Sequence, residues 1–232
     1  MILKGWYFLK KLLYIAASPK PETESTSKQV ARTFIHNLTV DPNLFEVDEL
    51  DLYTTDLPQP GYKLFDKHNR LVSGEALESL NEQDWADAQR MEQLCSQFLA
   101  ADFYIISAPM WGLSFPSKLK QYFDCIFLLD RLFSIDKHGF HGLLGDKDRS
   151  MVYIQSSGGI YPKILCGQIN YAIRYCRDVF RHLGIACFEP LFIQGTDMPN
   201  VGQCKALEKA AEDMEDLLKH FQKKLQKQAI YR

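Results

Sequence analysis

Ala101 to Phe127, ADFYIISAPMWGLSFPSKLKQYFDCIF, is the stretch whose reading decides the fold. It opens as a continuous apolar run, Phe103-Tyr104-Ile105-Ile106-Ser107-Ala108, too short for a helix of ordinary length and rich in β-forming side chains. Such a run predicts a strand buried on both faces, as in a parallel sheet. Pro109 ends it, because proline has no N–H to give the ladder. Pro109-Met110-Trp111-Gly112-Leu113 then carries large apolar groups, and one permissive glycine, through a loop. Ser114 is the expected N-cap of the next helix, with Pro116 in its first turn. Leu119, Tyr122, Phe123, Ile126 and Phe127 form the apolar stripe of that helix. Strand, aromatic loop and helix in this order point to a binding edge, since open α/β sheets bind ligands at strand carboxyl ends.

The same grammar extends in both directions. Leu12 to Ala17 reads as a second buried strand, opening into the turn-rich, hydroxyl-rich loop Ser18 to Ser27. A helix with Val30, Phe34, Ile35 and Leu38 on one face follows, and then Leu44 to Leu52, a more exposed strand. Residues 53–80 are broken by Pro58, Pro60, Gly61 and Gly74 and resist assignment; a connection of this length in a compact domain is usually functional or mobile. Asn81 with Asp84 three residues on marks a helix start, and Met91, Leu94, Cys95, Phe98 and Leu99 form its stripe. Arg131 to Lys147 is glycine-punctuated and reads as a short hairpin rather than a crossover helix. Met151 to Ser156 is another buried strand, and Ile169 to Leu183 a helix stopped by Gly184. Ile185 to Ile193 is the last strand, placed at a sheet edge by Pro190, and Leu207 to Leu225 lie on a final helix. Five strands alternating with five helices predict an α/β architecture: a five-stranded parallel sheet with right-handed crossovers and helices on both faces. Residues 1–232 read as a single domain, with residues 1–8 as an appended segment.

Composition narrows the partners. The 232 residues carry a formal net charge of −2, which gives no reason to expect nucleic acid or an anionic membrane. Lys10 and Lys11 split the apolar N-terminal run, so neither a targeting segment nor a membrane span is expected there. Six scattered cysteines without a C-x-x-C pair suit a reducing, cytoplasmic setting better than a disulfide framework. Histidines 36, 68, 138, 141, 182 and 220 show no metal-ligand spacing with one another or with cysteine, so no metal is expected.

Three strand ends carry the candidate chemistry. Ser18 with Ser25, Thr26 and Ser27 puts hydroxyls beside a helix N-terminus, a natural anion site. Taken alone, the commoner explanation is a serine N-cap in a proline-rich turn. Met110 and Trp111 can flank a planar ring, or simply pack beneath neighbouring loops. In Ser156-Ser157-Gly158-Gly159 two glycines let backbone approach a flat ligand and offer it N–H donors; an ordinary strand-to-loop turn reads the same way. Neither G-x-G-x-x-G nor G-x-x-x-x-G-K-S is present, arguing against a nicotinamide Rossmann domain and a P-loop NTPase. No G-x-S-x-G elbow appears, which disfavours a serine hydrolase.

Taken together, the three loops resemble the FMN-dependent NADH-azoreductases within the wider flavodoxin-like NAD(P)H:quinone oxidoreductase family. The resemblance runs from about Leu12 to the last helix. It rests on Ser18-Pro19 with Ser25-Thr26-Ser27, on Ala108-Pro109-Met110-Trp111, and on the helix segment Pro116 to Asp124. Gly142 to Lys147 and Ser156 to Gly159 complete it, in the family's order and spacing.

The resemblance implies a flavodoxin-like three-layer sandwich, a homodimer, and one FMN per subunit, with NADH or NADPH as donor and a quinone or azo compound as acceptor. Ser18, Ser25, Thr26 and Ser27 would hold the phosphate; Pro109, Met110, Trp111, Gly112 and Leu113 would flank the ring; Ser156, Ser157, Gly158 and Gly159 would line its pyrimidine side. The family mechanism is ping-pong hydride transfer, and no side chain is named as catalytic. The chain departs from its relatives at Gly112, where asparagine is usual, at Ser157, where arginine is common, and at Tyr161, where histidine is common beside the substrate. The alternative is an electron carrier of the same fold, although carrier flavodoxins tend to be shorter and strongly acidic.

Overall fold

A computed structural model of the chain describes residues 9–161 and 169–230, with side chains described as far as Leu225. The proposed appended segment at residues 1–8 and Cys166 lie outside these. Five strands, β1 (Lys10–Ala16), β2 (Phe45–Asp51), β3 (Phe103–Pro109), β6 (Ser150–Ser157) and β7 (Cys187–Gln194), pair in parallel in the order β2-β1-β3-β6-β7. The apolar runs of β1, β3 and β6 are buried on both faces because they occupy the middle of the sheet. Charged β2 and Pro190-bearing β7 take the edges, as expected of strands that cannot be covered or fully paired.

Alternate residues of each central strand serve opposite layers. Leu12, Tyr14 and Ala16 pack with Phe34 of α1 (Thr26–Leu38) and with Met214 and Phe221 of α6 (Gly202–Ile230). Leu13, Ile15 and Ala17 face the other layer, which is formed by α3 (Glu82–Ala100), α4 (Ser117–Ile126) and α5 (Tyr171–Leu183). There Phe180 stacks on Phe98 with centroids 5.7 Å apart and meets the edge of Phe123 at 5.4 Å. A short helix, α2 (Glu75–Glu78), lies in the 53–80 connection, whose Leu57 and Leu64 are buried. Gln121 of α4 holds that connection by donating to the carbonyls of Leu57 and Pro58 at 2.9 and 3.1 Å.

The 131–147 excursion is an antiparallel hairpin, β4 (Phe133–Asp136) with β5 (Gly139–Gly142). It returns directly onto the end of α5. A Cβ on Gly142 would sit 2.1 Å from the His182 carbonyl oxygen, and one on Gly184, at φ +114°, 2.4 Å from the Gly145 nitrogen. Beyond this contact Arg149, 3 % exposed, donates to the carbonyls of Leu144, Leu99 and Ala101 at 2.7, 3.0 and 3.3 Å and pairs with Asp146. Lys147 reaches Asp102 at 2.8 Å. The stretch Gly142 to Lys147 is therefore an anchor at the amino edge of the sheet, away from the carboxyl-end loops.

Cys95, Cys125 and Cys176 are fully buried on the inner faces of α3, α4 and α5. Burial pushes the Cys95 and Cys125 thiols up to about 12 and raises that of Cys176 as well. No helix of the described residues is long and apolar enough to cross a membrane.

Two outcomes follow from this packing. Gly142→Ala forces backbone apart, because the obstructing atoms are main chain; a cost of about 1–3 kcal/mol is expected in urea denaturation, as for overpacked interiors. Peptide mapping after thiol alkylation should find Cys95, Cys125 and Cys176 unmodified in the native protein and modified in guanidinium, since the thiolate is the reactive form.

Candidate functional site at the carboxyl edge of the sheet

The strand order reverses between β1 and β3, and the loops leaving β1, β3 and β6 stand side by side across that switch point. Their bases are tied together by backbone. Ala17 N–H donates to the Ser107 carbonyl at 2.8 Å, and Met110 N–H to the Ser156 carbonyl at 2.7 Å. All of the candidate positions singled out in the three loops thus fall on one edge.

In the first loop Ser18, Ser25 and Ser27 are buried and Thr26 is half-buried. Ser25 is the N-cap of α1, its Oγ accepting from Lys28 N–H at 3.5 Å and lying 3.4 Å from Ser27 Oγ. Ser18 Oγ accepts from Lys20 N–H at 3.4 Å. These contacts are at the long limit for hydroxyls, so the group keeps unspent hydrogen-bonding capacity. The N–H groups of the first turn of α1 have no intrahelical acceptor, and the helix dipole adds partial positive charge there. Behind the loop, Lys28 is buried and donates to Asp51 Oδ2 at 2.7 Å and to the Lys20 carbonyl at 2.9 Å. This lysine was not evident as part of the loop from sequence; a cation at N3 of a helix signals nothing by itself. Below, Tyr14 OH lies 3.0 Å from Ser107 Oγ, with the Arg32 guanidinium carbon 5.6 Å from its ring centre. Burial holds that phenol up at about 12.

The second loop is a tight turn. Trp111 and Ser114 exchange two backbone hydrogen bonds, of 3.0 and 2.9 Å, around Gly112 and Leu113. Both central residues have positive φ, +55° and +61°. Glycine adopts this freely and asparagine more easily than other side chains, which accounts for either residue at position 112. Space is not the constraint, because a Cβ there would meet nothing within 4 Å. Ser114 closes the turn instead of capping α4; Pro116 holds the cap position without a side-chain bond, correcting the assignment of Ser114 as N-cap. Trp111 is 49 % exposed and Met110 half-buried.

The third loop is held from β7. Gly195 N–H donates to the carbonyls of Ser157 and Gly159 at 3.0 and 3.1 Å, and Asp197 N–H to that of Gly158 at 3.2 Å. Ser157 Oγ donates to the Gly159 carbonyl at 2.9 Å. Tyr161 N–H reaches Gln194 Oε1 at 3.2 Å, placing this residue at the rim of the same edge. None of the described residues accepts a hydrogen bond from the N–H groups of Gly112, Gly158 or Gly159.

A buried amide pair then joins the second and third loops to α5. Asn170 Nδ2 donates to Gln155 Oε1 at 2.6 Å, and Asn170 Oδ1 caps Ile173 N–H at 3.2 Å. One residue on, Tyr171 N–H donates to the Leu113 carbonyl at 2.9 Å. Sequence reading missed this pair, because a buried amide 15 residues from its partner, on a different element, leaves no local pattern.

The arrangement can do three things: cradle an anion with hydroxyls and amides, wall a planar ring with Met110 and Trp111, and offer main-chain donors to the ring's polar edge. Comparison with known proteins identifies the family. The profile of the flavodoxin-like fold family matches residues 10–218. An FMN-dependent NADH:quinone oxidoreductase of Clostridium acetobutylicum is 39 % identical over 214 residues, covering 92 % of this chain and 97 % of that protein. One from Ruminiclostridium cellulolyticum is 40 % identical over 210 residues, covering 90 % and 99 %. Among solved structures, an FMN-dependent NADH-azoreductase from Bacillus anthracis in complex with FMN superposes with a TM-score of 0.78 at 26 % identity, covering 91 % of this chain and 99 % of that one. A fold carrying its loops at the β1/β3 switch point, matched along nearly its whole length, places this chain in the flavodoxin-like fold family, among the FMN-dependent NADH:quinone oxidoreductases.

Proposed function

We propose that this protein binds FMN across the three loops and moves two electrons from NADH or NADPH to a quinone or an azo compound. The observation that carries the reading is the convergence at one switch point of an anion cradle, an apolar wall and main-chain donors that none of the described residues takes up. The activities of the clostridial relatives and of the B. anthracis neighbour support it.

The residues fit such a cofactor. Ser18, Ser25, Thr26 and Ser27 combine hydroxyls with only long contacts and the free N–H groups of a helix start, a donor set suited to a phosphate dianion. Met110 and Trp111 present apolar surface to a ring, and Gly112, Gly158 and Gly159 present N–H groups to its polar edge. Bound FMN supplies the two-electron relay between donor and acceptor. The protein's own part is to bind, orient and desolvate. Main-chain donors at the third loop, where Ser157 is buried, favour negative charge at the ring's pyrimidine side, and Tyr161 and Trp111 shape the open face that donor and acceptor occupy in turn. That shared face makes the order ping-pong. No side chain need act as acid or base, so specificity rests on what stacks at the face.

The homodimer belongs to the same reading. Ile135 and Phe140 of the hairpin, 63 % and 48 % exposed, leave apolar surface that a second copy of the chain can cover. A cytoplasmic setting accords with a nicotinamide donor.

Purified protein mixed with FMN should turn yellow, bleach with NADH, recover its colour with a quinone, and scatter light as two chains. A protein that takes up no FMN on titration overturns the reading. Ser27→Ala removes one hydroxyl of the phosphate cradle and should weaken FMN binding roughly 10- to 100-fold, the equivalent of about 1.5–3 kcal/mol for a hydrogen bond to a charged group. Fluorescence titration measures it, and an unchanged Kd removes Ser27 from the cradle.

A further inference from the structure

At the opposite, amino edge of the sheet, Cys187, Glu189 and His220 bring one ligand atom each to within 4.8 Å of one another. Cys187 and Glu189 are two apart on β7 and so share a face. That face continues into buried Leu191 and Ile193 and packs against α6, which carries His220. Alternation calls for an apolar side chain at position 189, yet a carboxylate stands there. Among the described residues none hydrogen-bonds to or ion-pairs with the side chains of Cys187, Glu189 or His220. The His220 ring meets Phe221 edge-on at 5.2 Å, so one side of it lies against the core while the residue stays exposed on the other.

We infer that Cys187, Glu189 and His220 form a binding site for a single zinc-type divalent cation, which ties the edge strand β7 to the final helix α6. A thiolate, an imidazole and a carboxylate are the ligands Zn²⁺ takes, whereas Mg²⁺ and Ca²⁺ prefer all-oxygen sites. A cation centred in a triangle of this size lies about 2.8 Å from each ligand atom, and small side-chain rotations close that to coordination bonds of about 2.0–2.3 Å. Three protein ligands leave the fourth tetrahedral position to water, on the half-exposed side of the cluster. Binding takes the thiol proton into solvent and the imidazole in its neutral form. The site is far from the proposed flavin loops. Cys187 pairs with Ser150 at one end of β6 and Gln194 with Ser157 at the other, roughly 23 Å away at strand rise. Its role is therefore a clip between elements, independent of the redox edge. Sequence spacing could not reveal it, because 187, 189 and 220 match no ligand motif, and the expectation of no metal came from that spacing alone.

The test uses the full-length protein, without an affinity tag and stripped by chelator. Calorimetry should show one Zn²⁺ bound per chain and no competition from Mg²⁺. Co²⁺ should give a thiolate charge-transfer band in difference spectra, lost in Cys187→Ser. Glu189→Gln and His220→Ala should each weaken Zn²⁺ binding by at least about tenfold. Zn²⁺ should raise the Tm of the unaltered protein and not of these variants. Cys204→Ser, on the exposed start of α6, serves as the control and should bind like the unaltered chain. Equal Zn²⁺ affinity in all three ligand variants, or a Kd above about 1 mM for the unaltered chain, overturns the site.

Discussion

Parallel pairing is the constraint on which the rest depends. Once β1, β3 and β6 run the same way in the middle of the sheet, every one of their carboxyl ends opens on the same edge. Both faces of these strands must then be apolar, and the helices that cover them must return across the sheet. The polar chemistry is pushed to the edge by exclusion from everywhere else. Hydroxyls, amides and half-exposed aromatics gather there because the layers above and below leave them no other place. The reversal of strand order between β1 and β3 parts the helices and leaves room between the loops.

How much of this was legible in the sequence follows from how local each cause is. Leu12 to Ala17, Phe103 to Ala108 and Met151 to Ser156 announce themselves, because burial on both faces removes polar residues from consecutive positions. Pro190 announces an edge for an equally local reason. The glycine-punctuated hairpin at 131–147 is likewise local, although the close backbone approach of Gly142 to His182 that the glycines permit is not. Residues 53–80 stayed unreadable because what orders them is distant: Leu57 and Leu64 sink into the core and Gln121 holds two of their carbonyls.

The candidate site divides in the same way. The hydroxyl run, the Met-Trp loop and the Ser-Ser-Gly-Gly turn could be named from sequence because each follows a strand that could be named. Ser114 was misassigned because the turn before it needs two residues at positive φ, and Leu113 carries no mark of that. The cost of holding a leucine there, of order 1 kcal/mol or more, is met by the exchange of backbone bonds between Trp111 and Ser114 and by the bond from Tyr171. Lys28, Asn170 and Gln155 act through partners on other elements, and only coordinates pair them.

The bond from Tyr171 to Leu113 has a dynamic consequence. Asn170 is at once the cap of α5, the partner of Gln155 near the end of β6, and the neighbour of the residue that holds the Met110–Leu113 turn. The start of one helix, the tip of one loop and the root of another are thereby latched by groups two residues wide. Opening the helix start or the root of the third loop breaks the buried amide pair, and opening the turn breaks the bond from Tyr171 beside it, so the three should exchange their protected amides with solvent as one cooperative unit. A planar guest leaning on Trp111 would then quiet motion as far away as the first turn of α5, without touching it.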